Sequence, residues 1–99
     1  MPQITIKTTV VGYLSDVQIW LEGRQTRLGY DGAKTWSTTD IVEDERGSVE
    51  VALHGRGVAG TDWELTISEL HPAQKQLYDK KGSIKSSGHS FVEDSVQLK

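Results

Sequence analysis

The residues best suited to binding chemistry are aromatic. Trp20, Tyr30 and Trp36 fall in or beside strand and turn signals, with Arg24, Gln25, Arg27 and Asp31 near them in the chain. Flat aromatic faces stack on a sugar ring while polar neighbours bond its hydroxyls, so Trp20, Tyr30, Asp31 and Trp36 form the candidate ligand-binding set. Such a site needs a groove that gathers them. The competing reading is structural. Tryptophan is mostly buried on average, so Trp36 would fill the core and Trp20 would pack under a loop or cover a sheet end. Tyr13 is a further aromatic beside a turn.

Other reactive side chains carry weaker patterns. Asp40, Glu43, Asp44 and Glu45 supply the oxygen ligands calcium takes, but their spacing is not that of an EF-hand loop, and a solvated turn accounts for them. His54, His71 and His89 are dispersed, and the chain has no cysteine to join them, so no metal-ligand spacing emerges. Ser48, His54 and Asp62 could be assembled into a triad on paper, yet no nucleophile elbow accompanies them. Lys75, Lys80, Lys81 and Lys85 make a mild basic patch with Asp79 among them. Lysines at a sheet edge discourage strand-to-strand association, and no apolar anchoring helix goes with these for a membrane surface. Gly55, Gly57 and Gly60 match the GxGxxG spacing. That fingerprint opens a helix in a parallel βαβ unit, whereas residues 63–67 that follow alternate as a strand. These patterns imply no catalytic residue, no metal and no cofactor.

Composition narrows the class. Ninety-nine residues suit one domain over 1–99. The net charge of −3 argues against nucleic acid, which demands a basic face to release counterions from phosphates. The first residues show no basic segment leading into a long apolar run, so neither a signal peptide nor a membrane span is expected. Without cysteine, disulfides and thiolate metal sites are excluded. This favours a reducing compartment, the cytoplasm first, although an excised piece of an exported protein would read the same. Ten glycines and two prolines, with many Thr and Val residues, suit a β domain with tight turns.

The elements that must position these side chains are strands. Residues 47–68 form the centre. Val49, Val51 and Leu53 alternate with polar neighbours, as do Trp63, Leu65 and Ile67, which is the two-residue period of a strand with one dry face. Glycines lie between the two runs and predict a hairpin. Residues 4–8 alternate as the first strand, with a bulge or bend where Val10 and Val11 adjoin. In 17–22, Val17, Ile19 and Leu21 face the core and Trp20 faces out. A short turn then predicts an antiparallel return over 26–30. Asp31-Gly32 is a turn, 35–39 a short strand holding Trp36, and 40–47 a strand end and solvated turn.

The segment 72–81 is ambiguous. Pro72 first, Gly82 as a stop and lysines near the carbonyl end suit a short helix. Its apolar face is thin, because only Ala73 and Leu77 lie four apart. A strand over 75–79, turning at 80–82 into 83–85, is favoured slightly over the helix. Residues 90–98 give the last strand, with Phe91 or Val92, then Val96 and Leu98, available to the core. About seven short strands result, the number expected of an antiparallel β-sandwich, with one short helix near 72–81 as the alternative.

Residues 38–68 resemble the prealbumin-like and other immunoglobulin-like β-sandwich accessory domains. The matching residues are Thr38, Thr39, Asp40, Gly47, Val49, Val51, Leu53, Gly60, Trp63, Leu65 and Ile67. The turn around Asp44 and Glu45 is longer and more charged than the simplest form of that pattern. The resemblance implies a sandwich that binds, spaces or assembles, with no catalytic residues to carry over. The expected function is therefore a non-catalytic module acting through protein partners or self-association, with carbohydrate binding through the aromatic set as the alternative. Little suggests an enzyme.

Overall fold

A computed structural model describes residues 3–32, 34–43, 47–71 and 73–98. In chain order the strands are β1 (Gln3–Val11), β2 (Asp16–Leu21), β3 (Arg24–Thr26), β4 (Gly29–Tyr30), β5 (Thr35–Glu43), β6 (Ser48–Arg56), β7 (Asp62–His71), β8 (Lys75–Ser83) and β9 (His89–Gln97). All pairings are antiparallel. The first sheet runs β4-β5-β1-β7-β8 and the second β3-β2-β6-β9.

Alternation builds the core. Ile4, Ile6, Thr8 and Val10 of β1 point inward, as do Trp63, Leu65 and Ile67 of β7. From the second sheet come Val17, Ile19 and Leu21 of β2 and Val49, Val51 and Leu53 of β6. The apolar members of both sets join one buried cluster, closed by Leu14 and Ile84 together with Leu98. Period-two patterning puts each set on one face, and burial of those faces against each other supplies the main driving force.

Several sequence expectations need correction. Residues 47–68 are not a hairpin. β6 pairs with β2 and β9, and β7 pairs with β1 and β8. The glycine-rich connection carries the chain from one sheet to the other. It is held by Gly57 N–H to Gly88 O (3.1 Å) and Gly60 N–H to Ile84 O (2.8 Å). The expected return over 26–30 is likewise two strands, β3 in the second sheet and β4 in the first. The Thr26 hydroxyl donates to the Asp40 carboxylate at 3.1 Å and ties this crossing down.

The short helix near 72–81 does not form over the described residues, and the strand count rises from about seven to nine; Pro72 lies outside the described residues. Nor does the chain turn at 80–82, because β8 continues to Ser83. A register shift opposite Ile67 and Ser68 leaves Leu77 as the extra residue of a bulge. Adjacent Leu77 and Tyr78 can then both pack against the core. Gly82 sits where a Cβ would come within 2.4 Å of the Trp63 ring, so only glycine accepts the indole there. The final strand is uninterrupted at Glu93 and Asp94, and it turns Val92 inward and Phe91 outward.

Besides the Thr26–Asp40 bond, two further polar contacts join the sheets among the described residues. The Trp63 indole N–H donates to Ser90 Oγ at 3.2 Å. Further along β9, the Tyr78 hydroxyl on β8 donates to Asp94 Oδ2 at 2.8 Å. Burial first, then the bond to Asp94 and its charge, push the Tyr78 phenol up to about 12. The Tyr78 hydroxyl and the Ser95 N–H hold the Asp94 carboxyl below its ordinary range.

The signs define a window. Tyr78 has a raised folded pKa, so its contribution is complete below its unfolded value of about 10 and is lost as pH rises toward about 12. Asp94 has a lowered one, so its contribution is complete above its unfolded value of about 3.9 and is lost as pH falls through the folded value. Partial exposure screens the pair, so Tyr78→Phe should cost only about 1 kcal/mol or less at neutral pH. In urea unfolding, that difference should shrink at both acid and strongly alkaline pH. A difference independent of pH would contradict the clasp.

Candidate functional site

The outward residues of β2, β6 and β9 form an ordered face, because strands that alternate inward must alternate outward. Register sets its rows. Trp20 lies between Gln25 of β3 and Ala52 of β6, with Glu93 of β9 beyond. The next row is Gln18, His54 and Phe91, and the next is Asp16, Arg56 and His89. Ala52 is small, so the surface dips beside the half-buried Trp20 into an open depression of about 440 Å³. Glu50, Glu93, Asp94 and Ser95 line its other sides. An indole wall beside carboxylate acceptors can hold a flat apolar group and bond its polar substituents.

A tight turn helps shape one end of this depression. Glu22 and Gly23 have φ of 52° and 78°, the pair of positive values that a two-residue type I′ hairpin turn requires. Glycine adopts this without cost. Glu22 is held there by its own N–H to Glu50 O (2.9 Å), and its carboxylate accepts from Glu50 N–H at 3.4 Å.

At the opposite end of the face, His54 is held on both ring nitrogens. Nδ1 lies 3.3 Å from Gln18 Oε1, and Nε2 lies 3.0 Å from His89 Nδ1. The two imidazoles are nearly parallel, 10° apart, with centroids separated by 5.1 Å. Phe91 tilts against His54 at 6.2 Å and remains 59% exposed.

The four candidate ligand residues do not gather at one place. Trp20 faces outward on the second sheet. Trp36 faces inward on β5 at 7% exposure, as a member of the core. Tyr30 covers it from β4, with ring centroids 4.3 Å apart and planes at 22°. Asp31 Oδ1 accepts from Thr35 N–H at 3.1 Å and its own N–H donates to Thr35 O at 3.0 Å. Tyr30, Asp31 and Trp36 thus cluster at the start of β5, away from Trp20.

The other candidates resolve individually. Ser48 and His54 lie six residues apart on one extended strand, roughly 20 Å at strand rise, so the triad with Asp62 does not assemble. Asp40 bonds Thr26, while Asp44 and Glu45 lie outside the described residues. Among the described residues no three His, Cys, Asp or Glu side chains converge as a metal site. Lys75, Lys80 and Lys81 lie along β8, the outer strand of its sheet. There Glu64 stands opposite Lys81, and its bond to Asp79, followed by burial and the Asp79 charge, raises its carboxyl above the ordinary range. A second depression of about 640 Å³ lies on that sheet, lined by Tyr13, Lys34 and Glu64. Lys34 Nζ sits 5.7 Å from the Tyr13 ring centroid.

Sequence reasoning passed over Gln18, Ala52, Phe91, Glu93 and the His54–His89 contact as site features. No local spacing marks them. They meet only through the β2–β6 and β6–β9 registers. Compared with known protein families, curated proteins and solved structures, the chain matches none.

The three tryptophans should differ under acrylamide quenching. Trp20 should supply the quenchable fluorescence, so Trp20→Phe should remove most of it, while Trp36 and Trp63 stay protected. Tyr30→Ala should make Trp36 quenchable and cost about 1 kcal/mol of stability for the lost stack. Unchanged quenching in Tyr30→Ala would contradict its role as a cover.

Proposed function

We propose that the chain is a non-catalytic β-sandwich interaction module, of the prealbumin-like or immunoglobulin-like accessory kind, whose working surface is the outer face of β2, β6 and β9. One observation carries this reading: Phe91 is 59% exposed on a face that also presents Trp20, Ala52 and His54. Large apolar groups exposed in register with one another favour contact with another protein surface. A contact of ordinary size covers about 800 Å² per partner, roughly a seventh of the 5900 Å² surface, and a sheet face can supply that.

Self-association is the form of contact that the edges favour. The β8 edge carries Lys75, Lys80 and Lys81, which discourage pairing. The β9 edge carries no lysine and presents Phe91. A second reading, carbohydrate binding, is favoured by the Trp20–Ala52 depression with Glu50 and Gln25 nearby. It rests on Trp20 rather than on the full aromatic set. The net charge of −3 and the carboxylates on this face speak against nucleic acid.

Light scattering on a concentration series tests the first reading. The mass should rise above 11.0 kDa for the wild type and remain at 11.0 kDa for Phe91→Glu. A monomer at every concentration, with identical behaviour of the variant, would remove self-association. Trp20 fluorescence titrated with a glycan panel tests the second, and no response to any sugar would retire it.

A further inference from the structure

We propose that His54 and His89 form a two-imidazole site for a divalent transition-metal ion, of the zinc, nickel or copper series. The two residues are 35 apart in sequence and lie on neighbouring strands at a diagonal of the register, His54 opposite Phe91 and His89 opposite Arg56. Their facing nitrogens, His54 Nε2 and His89 Nδ1, are 3.0 Å apart. Two imidazole nitrogens bound to one zinc ion at ~2.0–2.1 Å, across angles of roughly 90–110°, lie roughly 2.8–3.4 Å from each other. The pair therefore already has the spacing of two ligands on one ion.

Gln18 sets the tautomer. Its Oε1 can only accept, so His54 Nδ1 carries the proton directed at it. His54 Nε2 is then a bare lone pair, the form that binds metal. In the free protein His89 Nδ1–H donates to that lone pair. On binding, His89 shifts to the tautomer that carries its proton on Nε2, the proton passing between the two ring nitrogens through water, and its ring turns about the exposed side chain to aim the freed Nδ1 lone pair at the ion. A polar partner on the far nitrogen of a liganding histidine is the arrangement that fixes ring orientation in metal sites. The two rings are held together by contacts already present, so binding loses little rotamer freedom. Arg56, opposite His89, has Asp16 on its other side in the register, which offsets its charge. Water fills the remaining coordination positions, and the series order puts copper tightest.

Zinc alone, titrated into the full chain and followed by the imidazole NMR signals, is the test. The His54 and His89 resonances should shift together and saturate near one equivalent, while those of His71 stay in place. His54→Ala and His89→Ala should each weaken binding by more than about tenfold, and Gln18→Leu by about tenfold through the lost outer bond. His71→Gln should bind as the wild type does. Equal shifts at all three histidines, or an affinity unchanged in His89→Ala, would overturn the assignment. His89 is exposed at the start of an edge strand, so its variant decides the matter even where His54→Ala does not fold.

Discussion

The fold depends on burying two alternating faces against each other. Ile6 of β1, Leu65 of β7 and Leu53 of β6 are completely removed from solvent, and they come from both sheets. Each strand can satisfy its backbone within its own sheet, but a single sheet leaves one apolar face wet. Only contact between the faces removes that surface from water. This constraint explains why the chain changes sheets where it does. At residues 57–61 the chain must cross, so that the inward side chains of β6 and β7 meet across the core instead of lying side by side. The crossing at Arg27 and Leu28 obeys the same rule, and Leu28 packs partly against the core on the way.

Alternation was legible in the sequence, and so was everything that follows from alternation alone. Val17, Ile19 and Leu21 read as inward and Trp20 as outward; Val49, Val51 and Leu53 read as one face, and Trp63, Leu65 and Ile67 as another. Pairing partners were not legible. A glycine-rich connection between two alternating runs suits a hairpin and a crossing between sheets equally well, and only the rest of the core decides. β8 was obscured for a different reason. A bulge at Leu77 puts two neighbours toward the core, which breaks the period of two and leaves the strand only slightly ahead of a helix. The candidate site was less visible still. Trp36 and Trp20 are the same residue type in similar surroundings, yet one lies inside and the other outside. The face around Ala52 and His54 exists only through register across three strands, and a linear pattern carries no trace of it.

The same alternation that fills the core leaves a defined pattern outside. Along β6, inward Val51 and Leu53 oblige Ala52 and His54 to face solvent. Along β9, inward Val92 and Val96 oblige Phe91, Glu93 and Ser95 to do so. An alanine between tryptophan and glutamate makes the depression, and a histidine beside a phenylalanine makes the apolar end. This outer face therefore rests on the sheet register, and any change that slips β9 by one residue would exchange Phe91 for Val92 and dismantle both ends together.

Hydrogen exchange of the backbone amides tests the shared core most directly. β1, β6 and β7 bury their inward side chains against one another, so their slowest amides should exchange together through one global opening, with the short β4 exchanging faster. Slow exchange confined to β1 and β7, with β6 opening on its own at much lower free energy, would show that the two sheets do not stabilise each other and would contradict the account.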